Sequence, residues 1–412
     1  MNLPGVVAPV PFRSLSLSMV VFLCTAGAIA PLLLPSTAVG LELFSAGMEV
    51  PQTITAVPGD FGSFGGKFFV TDTRLAADRT DGVLWAVPAN GGAPELVGEF
   101  GFDGRAGVFL PEAIVVEPTL NSPMDIGGQF LVVGTIPSQN PLLDLEASFA
   151  AVSASGTITS VPFVTPFGFG VRALPTDAMV APNGFGDLGN RVVVTDQERG
   201  AYSIEPFAPS NPNPQSPVFL FDRVAFQSSE GLMVQAFGGV FAPTDFGSVG
   251  GTLLISDAFE QDNAQIVSVD SDGNASIFAE IPTALAGSGL RNMAFVPDGF
   301  GDLGGLLLVS ISGETPFGGG TLGALIALDE SGDIVRVLKQ GTDLDKFDPR
   351  GLLFVGNTEL LICDSSDPIL VATPADFVVI PEPGSTMLLG MGWLMILGCE
   401  RRRRGGASFA AL

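Results

Sequence analysis

Pro58-Gly59-Asp60-Phe61-Gly62-Ser63-Phe64-Gly65-Gly66 is followed further along the chain by three variants of itself. These are Pro182-Asn183-Gly184-Phe185-Gly186-Asp187-Leu188-Gly189-Asn190, Pro243-Thr244-Asp245-Phe246-Gly247-Ser248-Val249-Gly250-Gly251 and Pro297-Asp298-Gly299-Phe300-Gly301-Asp302-Leu303-Gly304-Gly305. Each keeps Phe three residues after Pro. A degenerate copy reads from Pro118 through Met124-Asp125-Ile126-Gly127-Gly128, and a sixth unit near Gly356 keeps only its flanking apolar runs. The spacings are then 60, 64, 61, 54 and 59 residues. A period this regular marks an array of similar supersecondary units, none able to bury its own apolar faces alone.

Around each phrase the sequence alternates short apolar, β-rich runs with turn formers. Ala113–Val116, Ala178–Val180 and Met293–Val296 precede the Pro; Lys67–Val70, Arg191–Thr195, Thr252–Ser256 and Leu306–Ser310 follow the glycines. Two further runs flank a tight turn, as in Ile266–Val269, Asp270-Ser271-Asp272-Gly273-Asn274, Ala275–Ala279 and again around Asp329–Asp333. Four strands per unit and no helical period predict an all-β chain, a six-bladed β-propeller of about 60-residue repeats. The last unit is short of a strand, and Leu41–Ala46 can supply it and close the ring. A solenoid of stacked units is the rival, and a seventh blade is left open.

The composition fits this and narrows the chemistry. Of 412 residues 46% are hydrophobic and 15% charged, and 53 Gly with 32 Pro interrupt the chain too often for long helices. There is no histidine, which removes Ser-His-Asp and Cys-His nucleophiles and histidine-ligated metals. With 18 basic against 43 acidic residues the net charge is −25, a field that repels nucleic-acid phosphates and predicts no nucleic-acid partner. Cys363 is alone between Cys24 and Cys399, so the body has no intramolecular disulfide.

The two ends read as addresses. Arg13 is followed by an apolar stretch from Leu15 to Leu34, with Ser36 and Ala38 at a cleavage site, so residues 1–38 are expected to be a secretory signal peptide; a cut after Ala30 and an uncleaved anchor are the alternatives. The other end joins Pro381-Glu382-Pro383 to an apolar run from Thr386 to Cys399 and then to Arg401, Arg402, Arg403 and Arg404. Fourteen residues make a helix of about 21 Å, short of about 30 Å of hydrocarbon, but the arginines favour halting on the cytoplasmic side. The expected division is a body over 39–380, a short transmembrane sorting segment over 381–404 and a cytoplasmic tail over 405–412. Between its two ends the body carries 13 basic and 41 acidic residues, a charge of −28.

The C-terminal arrangement resembles the PEP-CTERM protein-sorting signal of exported bacterial proteins. The resemblance covers residues 380–404 and implies recognition and processing by exosortase, a membrane enzyme, near Pro381-Glu382-Pro383. It further implies a Gram-negative type of envelope, transient anchoring in the inner membrane, and a final place in the envelope, on the outer surface or outside the cell, often among exopolysaccharide. The partners to expect are thus exosortase and the secretion machinery, the membrane through the C-terminal helix before processing, and exopolysaccharide or another surface protein.

Several residues could carry chemistry. Gly184–Gly189 and Gly299–Gly304 match GxGxxG, but they lead into β-rich runs and recur, so they read as hairpin loops with Phe packed beneath, and no cofactor is expected of them. Asp72, Asp196 and Asp257, each fourteen residues after its unit's Pro, and Asp364 suit calcium as carboxylates, yet their repetition favours turn caps. Asp270–Asn274 imitates the start of an EF-hand but lacks the closing Glu. Counting back six and five residues from each Pro-equivalent gives Gln52, Glu112, Thr176 with Asp177, Phe237, Arg291 with Asn292, and Arg350, one rim of the expected channel. Glu112, Asp177 and Asn292 resemble, in residue type and topology, the oxygen ligands that six-bladed lactonase-like enzymes hold around a divalent metal. Arg291 and Arg350 would repel a dication and favour a structural rim of ion pairs. The leading expectation is therefore a non-enzymatic, sorted surface or matrix protein that binds or scaffolds; the alternative is a metal-dependent lactonase-like hydrolase.

Overall fold

In the computed structural model the chain divides into two compact units, Met1–Ala38 and Val39–Leu412. The structure describes residues 41–73, 82–110, 115–116, 124–137, 145–161, 174–204, 219–222, 235–257, 263–282, 289–313, 323–340, 347–365 and 369–377, all in the second unit. Glu112, the segment 381–404 with its Pro381-Glu382-Pro383 and arginines, and residues 1–38, where a signal peptide is expected, lie outside these residues. Among the described residues the only helical turns are 3-10, and no helix is long and apolar enough to cross a membrane.

Six antiparallel four-stranded sheets are present. The first blade runs Pro51–Ala56, Phe68–Thr73, Gly82–Val87, Glu95–Glu99, and the second Asp103–Phe109, Phe130–Pro137, Leu145–Val152, Ile158–Val161. The third is Pro175–Val180, Val192–Asp196, Gly200–Ile204, Phe219–Asp222, and the fourth Ala236–Phe241, Leu253–Asp257, Asn263–Val269, Ala275–Pro282. Leu290–Phe295, Leu307–Ile311, Ala324–Leu328 and Ile334–Gln340 form the fifth. The sixth takes Pro349–Val355, Glu359–Asp364 and Ile369–Ala372 from one end of the chain and Glu42–Ser45 from the other. Each first strand contacts the first strands of both neighbouring blades, and the circuit closes between Pro51–Ala56 and Pro349–Val355. Six blades in a ring, with first strands innermost and the last blade completed by the N-terminal strand, follow the sequence expectation.

The middle strands are almost wholly buried because both faces of every sheet are covered by the adjacent blades. Leu253–Asp257, Leu307–Ile311 and Ala324–Leu328 are buried at every position. Such strands read as near-continuous apolar runs instead of alternating ones, interrupted in these three only by Ser256, Asp257 and Ser310.

The repeated phrase forms a 3-10 turn between the first and second strands: Gly62–Phe64, Gly186–Leu188, Gly247–Val249 and Gly301–Leu303. Phe61, Phe185, Phe246 and Phe300 are buried beneath it. The glycine after Phe is needed twice over. Its φ is +53, +49, +50 and +61° in the four copies, and an added Cβ would strike the neighbouring blade at Ala154, Ser271, Glu330 or Pro374. The last glycine has only the first requirement. Gly66, Gly251 and Gly305 lie at φ +75, +78 and +80°, and the equivalent Asn190 at +62° shows that Asn is accepted. Gly251→Asn is therefore expected to change stability by under about 1 kcal/mol, whereas Gly247→Asn, whose Cβ would lie 2.6 Å from the Glu330 carbonyl oxygen, is expected to cost about 2–3 kcal/mol. Urea midpoints of the two variants check this, and equal losses would refute it.

The second unit departs from the sequence alignment. Leu110 N donates to Gln129 O, the bond that Val57 makes to Lys67, Ala181 to Arg191, Ala242 to Thr252 and Val296 to Leu306. Pro111, not Pro118, therefore stands where Pro58 does, and the spacings around it become 53 and 71 residues. The residues between Leu110 and Gln129 hold an insertion in which Val115–Val116 pairs with Met124–Asp125, so Ala113–Val116 is not the inner strand. That strand is Asp103–Phe109.

Candidate binding site at the channel mouth

Every inner strand carries one β-bulge at the same register: register shifts fall between Pro51 and Thr53, Gly104 and Ala106, Pro175 and Asp177, Ala236 and Gly239, Leu290 and Met293, and Pro349 and Leu352. A bulge unpairs one residue from the ladder and re-aims its side chain. The residues at the bulge, six before each Pro-equivalent, are Gln52, Arg105, Thr176, Phe237, Arg291 and Arg350. Arg105 replaces Glu112 in this register, because the second unit is read from Pro111.

A bulge also strips its carbonyl of a ladder partner, and the neighbouring blade supplies one. Thr71 donates its hydroxyl to the carbonyl of Arg105 at 3.4 Å, Thr195 to Phe237 at 2.8 Å, Ser256 to Arg291 at 2.7 Å and Ser310 to Arg350 at 3.2 Å. These hydroxyls are buried, each one residue before the end of its blade's second strand or its aspartate; the same place holds Val133 and Cys363 in blades two and six. Burial pushes the Cys363 thiol far up. The repeated aspartate was legible in the sequence; the hydroxyl was not, because its partner lies a blade away and is not adjacent in sequence.

The aspartates Asp72, Asp257 and Asp364 accept from the backbone N–H of Val50, Gln235 and Asp348, tying each crossover to its blade. Asp72 also accepts from Trp85 Nε1 at 3.0 Å. Asp196 accepts from Glu198 and Arg199, a turn cap, and its burial raises it to about 6. Asp270 and Asp329 likewise accept from backbone N–H groups of their own hairpins.

Asp177 and Asn292 hold equivalent places one residue past the bulge and bridge to the next inner strand: Asp177 Oδ2 accepts from Gly239 N at 3.1 Å, and Asn292 Oδ1 from Leu352 N at 3.3 Å. Asp177 Oδ1 accepts from Ala178 N. Burial, only partly offset by those N–H groups, raises the Asp177 carboxyl to about 7. The folded chain thus holds this proton to higher pH than the unfolded chain, whose value is near 3.8. The stabilisation is full below about pH 4 and lost as pH rises through 7, at up to about 1.4 kcal/mol per unit. Asp177→Asn, with Asn292 as its natural isostere, should flatten the fall in melting temperature between pH 4 and 7. An unchanged slope would show that Asp177 titrates as an ordinary carboxylate.

The mouth is one-sided. Blades five, six, one and two contribute Arg291, Arg350, Gln52 and Arg105; blades three and four contribute Thr176 and Phe237. Side chains meet across adjacent blades along this rim. Arg350 donates to Gln52 Oε1 at 3.2 Å, and the Arg291 guanidinium stacks 4.2 Å from the Phe237 ring centroid. Behind two of the arginines lie buried carboxylates two residues earlier: Arg105 Nε donates to Asp103 at 3.0 Å, and Arg350 to Asp348 through Nε and a terminal nitrogen at 3.3 and 3.2 Å. Among the described residues no group of three or more carboxylates or cysteines is placed to hold a metal ion.

No family model and no curated protein matches the chain. Solved structures align over most of it at low identity. A glucose dehydrogenase aligns over 81% of this chain and 98% of its own, with 7% identity and a TM-score of 0.49. A streptogramin B lyase covers 81% and 97% at 13% and 0.44, and a putative 6-phosphogluconolactonase from Bacteroides uniformis 80% and 84% at 16% and 0.42. Similarity at this level assigns neither ligand nor chemistry to this chain.

Proposed function

We propose that this is an exported, exosortase-sorted bacterial surface or extracellular-matrix protein whose propeller binds or scaffolds. The observation that carries the reading is where the body's ends emerge. Glu42–Ser45 and Ile369–Ala372 are paired antiparallel in the sixth blade, so Leu41 and Thr373 leave it side by side. Both leave at the end that holds the glycine turns, where Pro374–Phe377 packs against Gly301–Leu303. The arginine-bearing mouth is at the other end. Only residues 378–380 separate this body from Pro381-Glu382-Pro383, so a chain halted in the inner membrane by residues 381–404 would carry its mouth pointing away from the bilayer. After processing, the envelope, the outer surface or a surrounding exopolysaccharide is where such a mouth would meet a ligand.

The competing reading, a metal-dependent lactonase-like hydrolase with calcium on Glu112, Asp177 and Asn292, has less support. Asp177 and Asn292 already accept from the neighbouring blade's backbone, and three guanidiniums share their rim. Mass spectrometry of the mature termini in the native cell tests the proposal. It predicts an N-terminus near Val39 and a C-terminus near Pro381–Gly384 in the envelope or extracellular fraction. The intact chain in the cytosol would overturn it. Stoichiometric metal on the purified protein, lost on Asp177→Asn, would favour the hydrolase.

A further inference from the structure

We infer that Asn183-Gly184, in the turn phrase of the third blade, is a self-modification site at which Asn183 passes through a succinimide to aspartate and isoaspartate, with Asn190 as its positioning residue. The inference goes beyond the reading of the body as a sorted surface protein and does not rest on it.

The chemistry needs an Asn side chain whose Cγ the next backbone nitrogen can reach, and a following glycine, with no Cβ, leaves that approach open. The sequence has two Asn-Gly pairs, Asn90-Gly91 and Asn183-Gly184, and both asparagines are exposed in turns. The fold explains the first glycine. Gly91 lies at φ +77°, a Cβ added to it would lie 2.5 Å from the Phe44 carbonyl oxygen, and its N–H donates to Pro88 O at 2.9 Å. The fold has no such need of the second. Gly184 does not have a positive φ, an added Cβ would meet nothing within 4 Å, and among the described residues its N–H has no acceptor. The turn is closed by Phe185 N, which donates to Pro182 O at 2.9 Å and leaves Gly184 N at the exposed tip.

The same copy of the phrase departs from the others at its last position, where Asn190 takes the left-handed conformation that Gly66, Gly251 and Gly305 take elsewhere. The two departures meet, because Asn190 Nδ2 donates to Asn183 Oδ1 at 2.9 Å. A donor on the amide oxygen draws charge from Cγ and stabilises the oxyanion that develops as Gly184 N adds to it. The Gly184 N–Cγ bond forms, the Cγ–Nδ2 bond breaks, and the Gly184 proton passes through solvent to Nδ2, which leaves as ammonia. Water then opens the ring. Attack at Cγ gives aspartate with the backbone as before; attack at the main-chain carbonyl gives isoaspartate, whose backbone is longer by a methylene. The fold receives these products differently. Asp298-Gly299 fills the same place in the fifth blade, so aspartate is accepted there. Isoaspartate displaces Phe185, buried edge-on against Phe241 at 4.9 Å, and Gly186, which leaves no room for a Cβ against Ser271 of the fourth blade. Conversion at Asn183 thus loosens the seam between blades three and four as the protein ages.

The test is peptide mapping by mass spectrometry on the full chain, aged in mild detergent at mildly alkaline pH and digested at acid pH, where the reaction is slow. Asn183 is expected to gain one dalton at least about fivefold faster than Asn90, the factor set by the one hydrogen bond that Gly91 N–H must first release. The Asn183 peptide should separate into two products of equal mass, aspartate and isoaspartate. Gly184→Ala, for which the turn has room, and Asn190→Gly, which restores the glycine of the other copies, should each slow the conversion at Asn183 severalfold and leave the rate at Asn90 unchanged. Freshly made Asn183→Asp should melt as the parent chain does, whereas the aged chain melts lower in proportion to its isoaspartate. Conversion at Asn90 as fast as at Asn183, absence of isoaspartate at Asn183, or an undiminished rate in either variant would overturn the inference.

Discussion

Deletion of residues 41–46 is expected to abolish cooperative unfolding of the body. Glu42–Ser45 is the fourth strand of the last blade and also its seam to the first. It pairs with Ile369–Ala372, Gly92 N donates to the Phe44 carbonyl at 3.0 Å, the Ser45 hydroxyl donates to Gly92 O at 2.6 Å, and the Phe44 ring meets Phe68 edge-on at 6.0 Å. At about 1 kcal/mol for each net hydrogen bond and about 2 kcal/mol for the aromatic ring, the strand contributes more than roughly 5 kcal/mol, on the scale of a domain's whole stability. Its loss also bares a strand edge that invites pairing with other chains. Circular dichroism melting and light scattering would register this as a broad, non-cooperative transition with aggregation. A deletion variant with an unchanged sharp melt would mean that the strand is ornamental.

The second large effect falls on Asp348. Its carboxylate faces Arg350, the Ser312 and Ser365 hydroxyls and Gly313 N. Burial works against its charge, but Arg350 and those hydroxyls outweigh it and hold the carboxyl below the ordinary range. Asp348→Ala would strand the Arg350 guanidinium beside a cavity and leave three donors unsatisfied, a loss of about 3–5 kcal/mol. Asp348→Asn should cost less, since it keeps an acceptor. The pH dependence has the opposite sense to that of Asp177. Here the folded-state value is depressed, so the stabilisation is present above the unfolded value near 3.8 and is lost as pH falls through the lower folded one. Urea titration at neutral pH measures the first claim; a loss no greater than that of an exposed aspartate would contradict it.

How much of this was legible beforehand depends on whether the signal was local. The turn phrase, its buried Phe and its glycines are short-range facts of backbone conformation, and the repeat exposed them. The closing strand was legible by subtraction, because five units had four strands and the sixth had three. The second blade was not. Its inner strand, Asp103-Gly104-Arg105-Ala106-Gly107-Val108-Phe109, has two glycines and two charges and reads poorly as β, since the bulge and the close approach of Phe130 to Gly107 govern it. The apolar Ala113–Val116 inside the neighbouring insertion reads better and lies next to a proline. That displacement hid Arg105 and brought Glu112 into the rim. The bridging roles of Asp177, Asn292 and the Ser/Thr hydroxyls were beyond the sequence for a different reason: each partner lies on the next blade, 34 to 62 residues away in the chain.

All these assignments depend on a closed ring of six blades, because only closure brings six bulges to a common mouth. Leu43 and Leu370 face one another across the seam. In a background with Cys24, Cys363 and Cys399 replaced by Ser or Ala, Leu43→Cys/Leu370→Cys should oxidise to a disulfide within the monomer, seen as a two-dalton loss in intact mass and a rise in melting temperature that reducing agent reverses. Thiols that stay free, or that link only between molecules, would show that the two ends of the body do not meet.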